Sequence, residues 1–143
     1  MAQGDGEEVI RAIERVVRST RTLHGNIIKA SGGTLGEDAA KLFSALSRPF
    51  QTWDGVELFP FALEKAAVAL HGIICGHAFA DGNKRTGVLI SAVFLTELGH
   101  LDGNVTQDQI RNMEPIALTA AQPGGVPVEV IVVELERLFG QKR

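Results

Sequence analysis

A chain of 143 residues is the size of one domain. It is 45% hydrophobic and 22% charged, which excludes intrinsic disorder, and a chain this long buries enough surface to need no disulfide or structural metal. The net charge of −3 excludes a protein whose affinity comes from broad phosphate neutralisation along nucleic acid, and Cys75, the single cysteine, excludes a disulfide framework or a Cys-rich zinc site.

There is no Tyr and one Trp, so the core must be aliphatic. No apolar run approaches the roughly 18 residues of a membrane span. The start, Met1 to Glu8, is acidic and contains glycine, unlike a signal peptide. The expectation is a soluble, cytoplasmic, single domain over 1–143 that touches neither membrane nor nucleic acid directly.

Val9, Ile10, Ile13, Val16, Val17 and Thr20 recur at helical spacing, which predicts an amphipathic N-terminal helix over residues 7–23. His24-Gly25 is read as its end, with a flexible connection over 26–36. A second helix is expected from Glu37 to Ser47, with Ala40, Leu42, Phe43 and Leu46 as its apolar set and Pro49 as its stop. Asp54-Gly55, between short β-prone runs over 51–59, is a strong hairpin signal. Such a hairpin is marginal alone and must lie on the body or on a partner. Pro60 suits the first turn of a third helix, which runs to about His77 and carries few charges. A short loop, 78–82, leads to a fourth helix over 83–98 that Gly99 terminates. Two more helices follow, over 106–122 and 127–139. Pro115 predicts a kink or break near Asn112 in the first. The fold class is all-α, a compact helical domain with one short β-hairpin.

The stretch from His77 to Arg85 lies between the two most apolar helices, yet holds His, Asp, Asn, Lys and Arg. Ionisable groups are costly there unless paired or solvated. Lys84 and Arg85 also stand at the start of a helix, where the macrodipole already carries positive charge. Two cations, backbone N–H groups and a Gly-Asn turn make an anion site, and the natural anion is a phosphate. Asp81 is placed to hold a Mg²⁺ bridging phosphate oxygens. His77 is placed to act as a general base. A polar loop that simply faces water is the alternative reading of the same residues. No P-loop, Gly-x-Gly-x-x-Gly, EF-hand, Gly-x-Ser-x-Gly or His-Glu-x-x-His pattern competes. Cys75 is expected to be a small core residue, and His24, His71 and His100 to be polar surface or helix-end residues.

His77-Ala78-Phe79-Ala80-Asp81-Gly82-Asn83-Lys84-Arg85 resembles the signature of the Fic/Doc family in its death-on-curing (Doc) version. The Fic form is His-Pro-Phe-x-Asp/Glu-Gly-Asn-Gly-Arg, and the Doc form has Lys where Fic has its second Gly. The similarity extends over about residues 24–139. It implies that His77 takes a proton from a target Ser or Thr hydroxyl. It implies that Phe79 anchors the loop, Asp81 binds Mg²⁺, and Gly82, Asn83, Lys84 and Arg85 meet the nucleotide phosphates. The hairpin would be a flap that holds an extended target segment, with Thr52, Trp53, Asp54 and Gly55 upon it. Trp53 is equally readable as a packing aromatic.

Lys84 favours the Doc reaction, transfer of the γ-phosphate of ATP, over the Fic reaction, transfer of AMP. The resemblance then implies a protein kinase toxin of a toxin–antitoxin system that acts on a translation elongation factor. A non-catalytic module that binds an antitoxin is the third reading. Ala78 stands where the family has Pro, and Gly87 where Ala is common. The self-inhibitory pattern Ser/Thr-x-x-x-Glu-Gly/Asn is absent from the sequence, so an inhibitor is expected in trans, as an antitoxin with an amphipathic segment.

Overall fold

The computed structural model describes residues 3–141. Among the described residues there are six α-helices and one two-stranded antiparallel hairpin. No helix among them is long and apolar enough to cross a membrane.

The first helix, α1, spans Gln3–Ser31. It does not end at His24-Gly25, and most of the expected connection is helix. The reason is burial. Ile13, Val17, Thr20, His24 and Ile28 form one continuous buried stripe, with steps of four and three residues. A mid-helix Gly costs only about 1 kcal/mol relative to Ala, and buried neighbours on both sides outweigh it. The helix stops at Gly32, whose φ of 74° suits a residue without a side chain.

Helix α2 spans Ala39–Ser47 and is capped by Asp38, whose carboxylate accepts from Lys41 N–H at 3.1 Å. Leu42, Ala45 and Leu46 are buried, whereas Ala40 and Phe43 are exposed. Pro49 stands inside a single 3-10 turn, Arg48–Phe50, rather than marking a bare stop. The hairpin forms as expected. Strands β1 (Thr52–Trp53) and β2 (Val56–Glu57) pair Thr52 with Glu57 and Trp53 with Val56. Asp54 and Gly55 between them have φ of 52° and 78°, the two left-handed residues of a type I′ turn.

Pro60 lies outside the next helix. Helix α3 spans Ala62–Gly76, and Phe61 is its N-cap. The Phe61 N–H donates to Glu64 Oε1 at 3.1 Å, which satisfies the helix entry without Pro60. Helix α4 spans Asn83–Glu97, and Gly99 follows its C-cap with a φ of 86°. Helix α5 spans Gln107–Ala120, with a reciprocal Thr106/Gln109 capping box. It runs through Pro115, so the break expected near Asn112 does not form. Helix α6 spans Val128–Phe139, within the expected 127–139.

The most extensive contact is between α3 and α4, and every other helix packs around that pair. Leu70, Ile73, Ile90 and Leu95 at its centre are fully buried. Gly87 explains the close fit. A Cβ there would stand 3.0 Å from Ile74 Cγ1 and 3.2 Å from Ile74 Cδ1, so the propensity cost of this glycine is offset by tight helix packing.

Candidate active site

The site is the turn between the two most buried helices. Helix α3 ends at His77, which adopts a left-handed backbone with φ 51° and ψ 53°. A non-glycine residue is uncommon there, and such strain costs on the order of 1–3 kcal/mol. The side chain is exposed. No recorded hydrogen bond or ring contact among the described residues engages the imidazole.

The residues after it are clamped. Ala78 and Phe79 are buried. Asn83 spends its side chain on the loop: Oδ1 accepts from Phe79 N–H at 3.0 Å, and Nδ2 donates to Phe79 O at 2.8 Å. The segment after α1 grips the same loop from the other side. Asp38 N–H donates to Ala78 O at 2.8 Å, and Ala80 N–H donates to Gly36 O at 3.0 Å. Glu37 and Phe79 form an isolated antiparallel bridge between these bonds. Arg21 of α1 holds Glu37 through both its carboxylate oxygens, at 2.7–3.0 Å.

His24 completes the clamp. Its ring stacks on Phe79, with centroids 3.7 Å apart and planes 10° from parallel. Its Nε2 donates to Asp81 O at 2.7 Å. His24 is therefore no surface residue; it is 4% exposed and shapes the motif loop. His100 is also buried and His71 half-buried, each bonded through Nε2 to a backbone carbonyl, Gly140 O and Val126 O. Cys75 is half-buried rather than core, and its Sγ donates to Ala120 O at 3.3 Å. Burial pushes its thiol pKa up.

Helix α4 starts at Asn83 without a side-chain cap and without an acidic residue in its first turn. The first intrahelical bond is Thr86 N–H to Gly82 O at 3.0 Å. The N–H groups of Asn83, Lys84 and Arg85 thus precede the helical ladder. Lys84 and Arg85 are exposed, and no ion pair recorded among the described residues includes either. The result is a concentration of positive charge at the helix start, with Glu114 the one acid among the residues lining the groove that opens there. A groove of about 350 Å³ begins at these two cations and continues between Val88, Leu89, Ile110 and Ala117.

Asp81 carries the only acid of the motif. Its Oδ1 accepts from Gly82 N–H at 2.9 Å and its Oδ2 from Thr34 N–H at 3.3 Å. Gly33 lies against the same carboxylate, and a Cβ there would collide with Asp81 Oδ2. Among the described residues no group of three or more His, Cys, Asp or Glu side chains converges to make a metal cage. One carboxylate with spare lone pairs nonetheless suits a Mg²⁺ whose other ligands are water and phosphate oxygens.

Sequence reasoning did not find His24, Gly33 or Thr34. The signal for His24 was present, since it continues the Ile13–Val17–Thr20 stripe toward Ile28. Gly33 and Thr34 carry no such signal, because their role depends on where the chain returns. Thr52, Trp53, Asp54 and Gly55 form the first strand and turn of the hairpin, and all are exposed. Trp53 is 77% exposed and has no recorded ring partner, so it is not a packing aromatic. Among the described residues, no hydrogen bond or ion pair joins these hairpin residues to the motif loop.

A profile of the Fic/DOC family matches residues 17–95. That range holds the stripe of α1 from Val17 onward, the clamp segment, the hairpin and the whole His77–Arg85 turn. A curated relative, Toxin Doc of Mycolicibacterium smegmatis, is 39% identical over 75 residues, which span 52% of this chain and 55% of that protein. No solved structure matches the chain. Family members transfer nucleotide or phosphate groups. The match covers the clamped turn and its supports together, and by it the chain belongs to the Fic/DOC family.

Proposed function

We propose that the chain is a Doc-like toxin that transfers the γ-phosphate of ATP to a Ser or Thr hydroxyl of a target protein. One observation carries the reading: an exposed histidine with an unengaged ring stands six residues before an uncapped helix start that bears two unpaired cations. The triphosphate rests on the N–H groups of Asn83, Lys84 and Arg85, with the side chains of Lys84 and Arg85 offsetting its charge. His77 accepts the hydroxyl proton as the target oxygen forms its bond to the γ-phosphorus. The bond from that phosphorus to the β-bridging oxygen breaks, and ADP leaves. Asp81, oriented by Thr34 and Gly82, would hold a Mg²⁺, which supplies charge neutralisation on the phosphates when bound. The flap presents the target as an added strand.

Lys84 is the reason to favour γ- over α-phosphate transfer, because the Fic signature has glycine there. AMP transfer from the same cradle, with pyrophosphate leaving, is the second reading. We further propose an elongation factor as target and an antitoxin as inhibitor. Hollows of about 350 and 220 Å³ share Leu89 and Ile110 in their walls and also carry charged and polar side chains, including Arg85 and Glu97, a mixed surface suited to an amphipathic segment. Incubation with ATP labelled at the α- or the γ-position, followed by mass spectrometry of host proteins, tests the reaction. Label carried from the γ-position, absent in His77→Ala, is expected. Label carried only from the α-position overturns the kinase reading. Growth arrest that survives His77→Ala overturns both.

A further inference from the structure

The hairpin has little of its own to hold it. Its strands are two residues each, and residues 51–58 are all exposed. Phe50 and Phe59, at its two ends, pack against the core. A hairpin this short is marginal in water. One buried cation is spent on it. Lys65 of α3 is 6% exposed, an unusual place for a lysine unless it is paired. Its Nζ donates to Glu57 Oε1 on β2 at 2.8 Å and also to the Phe59 carbonyl.

We propose that Lys65 is a positioning residue of the target-binding flap, locking the Glu57 face of the hairpin onto α3 so that the Trp53–Val56 face is the one presented. The register supports this. Thr52 and Glu57 are directly opposed and share one face; Trp53 and Val56 share the other. Drawing Glu57 to the helix turns Trp53 and Val56 outward, where they are 77% and 67% exposed. Helix α3 then carries the flap anchor near its start and His77 at its end, so one rigid element sets the frame for both. The role rests on the transferase reading of the flap, whereas the lock itself does not.

The test uses the full chain with Lys65→Met, Lys65→Arg and Glu57→Gln. Amide hydrogen exchange is read over 51–58 and, as control, over 66–76. The anisotropy decay of Trp53, the only tryptophan, reports hairpin motion. Transfer is read with γ-labelled ATP and a host lysate, and nucleotide binding by the ATP-induced thermal shift. Lys65→Met should speed exchange in 51–58 at least tenfold, leave 66–76 unchanged, cut transfer at least tenfold and leave the ATP shift intact. Lys65→Arg should restore part of both, and Glu57→Gln should act in the same direction more weakly. Wild-type exchange and transfer in Lys65→Met would overturn the proposal. Equal loss of protection over 66–76 would also overturn it, since Lys65 would then support α3 rather than the flap. Should Lys65→Met fail to fold, Glu57→Gln decides by the same exchange readout. If the wild type transfers no label at all, the transferase reading fails while the exchange data still judge the lock.

Discussion

Asp81 shows how much of this site is set by a missing methyl group. Its carboxylate occupies the space where a side chain at residue 33 would begin. Gly33→Ala should therefore displace Asp81, cutting transfer at least tenfold with little change in helix content by circular dichroism. Full activity in Gly33→Ala would show that the Asp81 position is not needed. Cys75 gives a second test at this scale. Burial raises its pKa above that of an ordinary thiol. The folded chain then holds the thiol proton after the unfolded chain has lost it, so stability falls as pH rises through 9 and above. Denaturant titrations from pH 8 to 10 should show a steeper fall in the wild type than in Cys75→Ser. Parallel slopes would remove the burial argument.

Among the elements, α1 is the one whose role changed most on going from sequence to structure. Its apolar periodicity is legible up to Thr20, and reading Gly25 as a terminator hides the rest. Beyond that point the helix supplies Arg21 and His24, which hold the motif loop through Glu37, Phe79 and Asp81. His24→Ala removes a buried stack and a hydrogen bond. The expected loss is about 2 kcal/mol, or roughly 4–8 °C in melting temperature for a domain of this size. Transfer should fall further than stability predicts, because the loop that carries Asp81 loses a support. A melting temperature unchanged by His24→Ala would show that the stack is not a support. The Arg21–Glu37 pair is more exposed, and an ion pair at the surface contributes only about 0.2–1 kcal/mol. It acts by position more than by energy.

For the molecule as a whole, the proposed function sets phosphate binding against stability at one helix start. Lys84 and Arg85 are unpaired cations at the positive end of α4, each unfavourable by about 0.3–1 kcal/mol. The double variant Lys84→Ala/Arg85→Ala should melt at or above the wild-type temperature without ligand. The wild type should gain about 2.7 kcal/mol from ATP at a hundred times its Kd, and the variant should gain almost none. A double variant that melts lower, or that keeps the ATP shift, would show that these cations serve the fold. By itself, the sequence determined the helical class, the hairpin with its Asp54-Gly55 turn, and the concentration of charge from His77 to Arg85. Each of these rests on residues near one another in the chain, through periodicity, turn chemistry or an unpaired helix start. Only the tertiary structure decided that α1 runs on to Ser31, that His24 and Gly33 shape the loop around Asp81, and that a buried Lys65 bonds Glu57 and the Phe59 carbonyl at the hairpin. Those contacts join residues far apart in the chain, and no local pattern encodes which distant backbone will return to meet them.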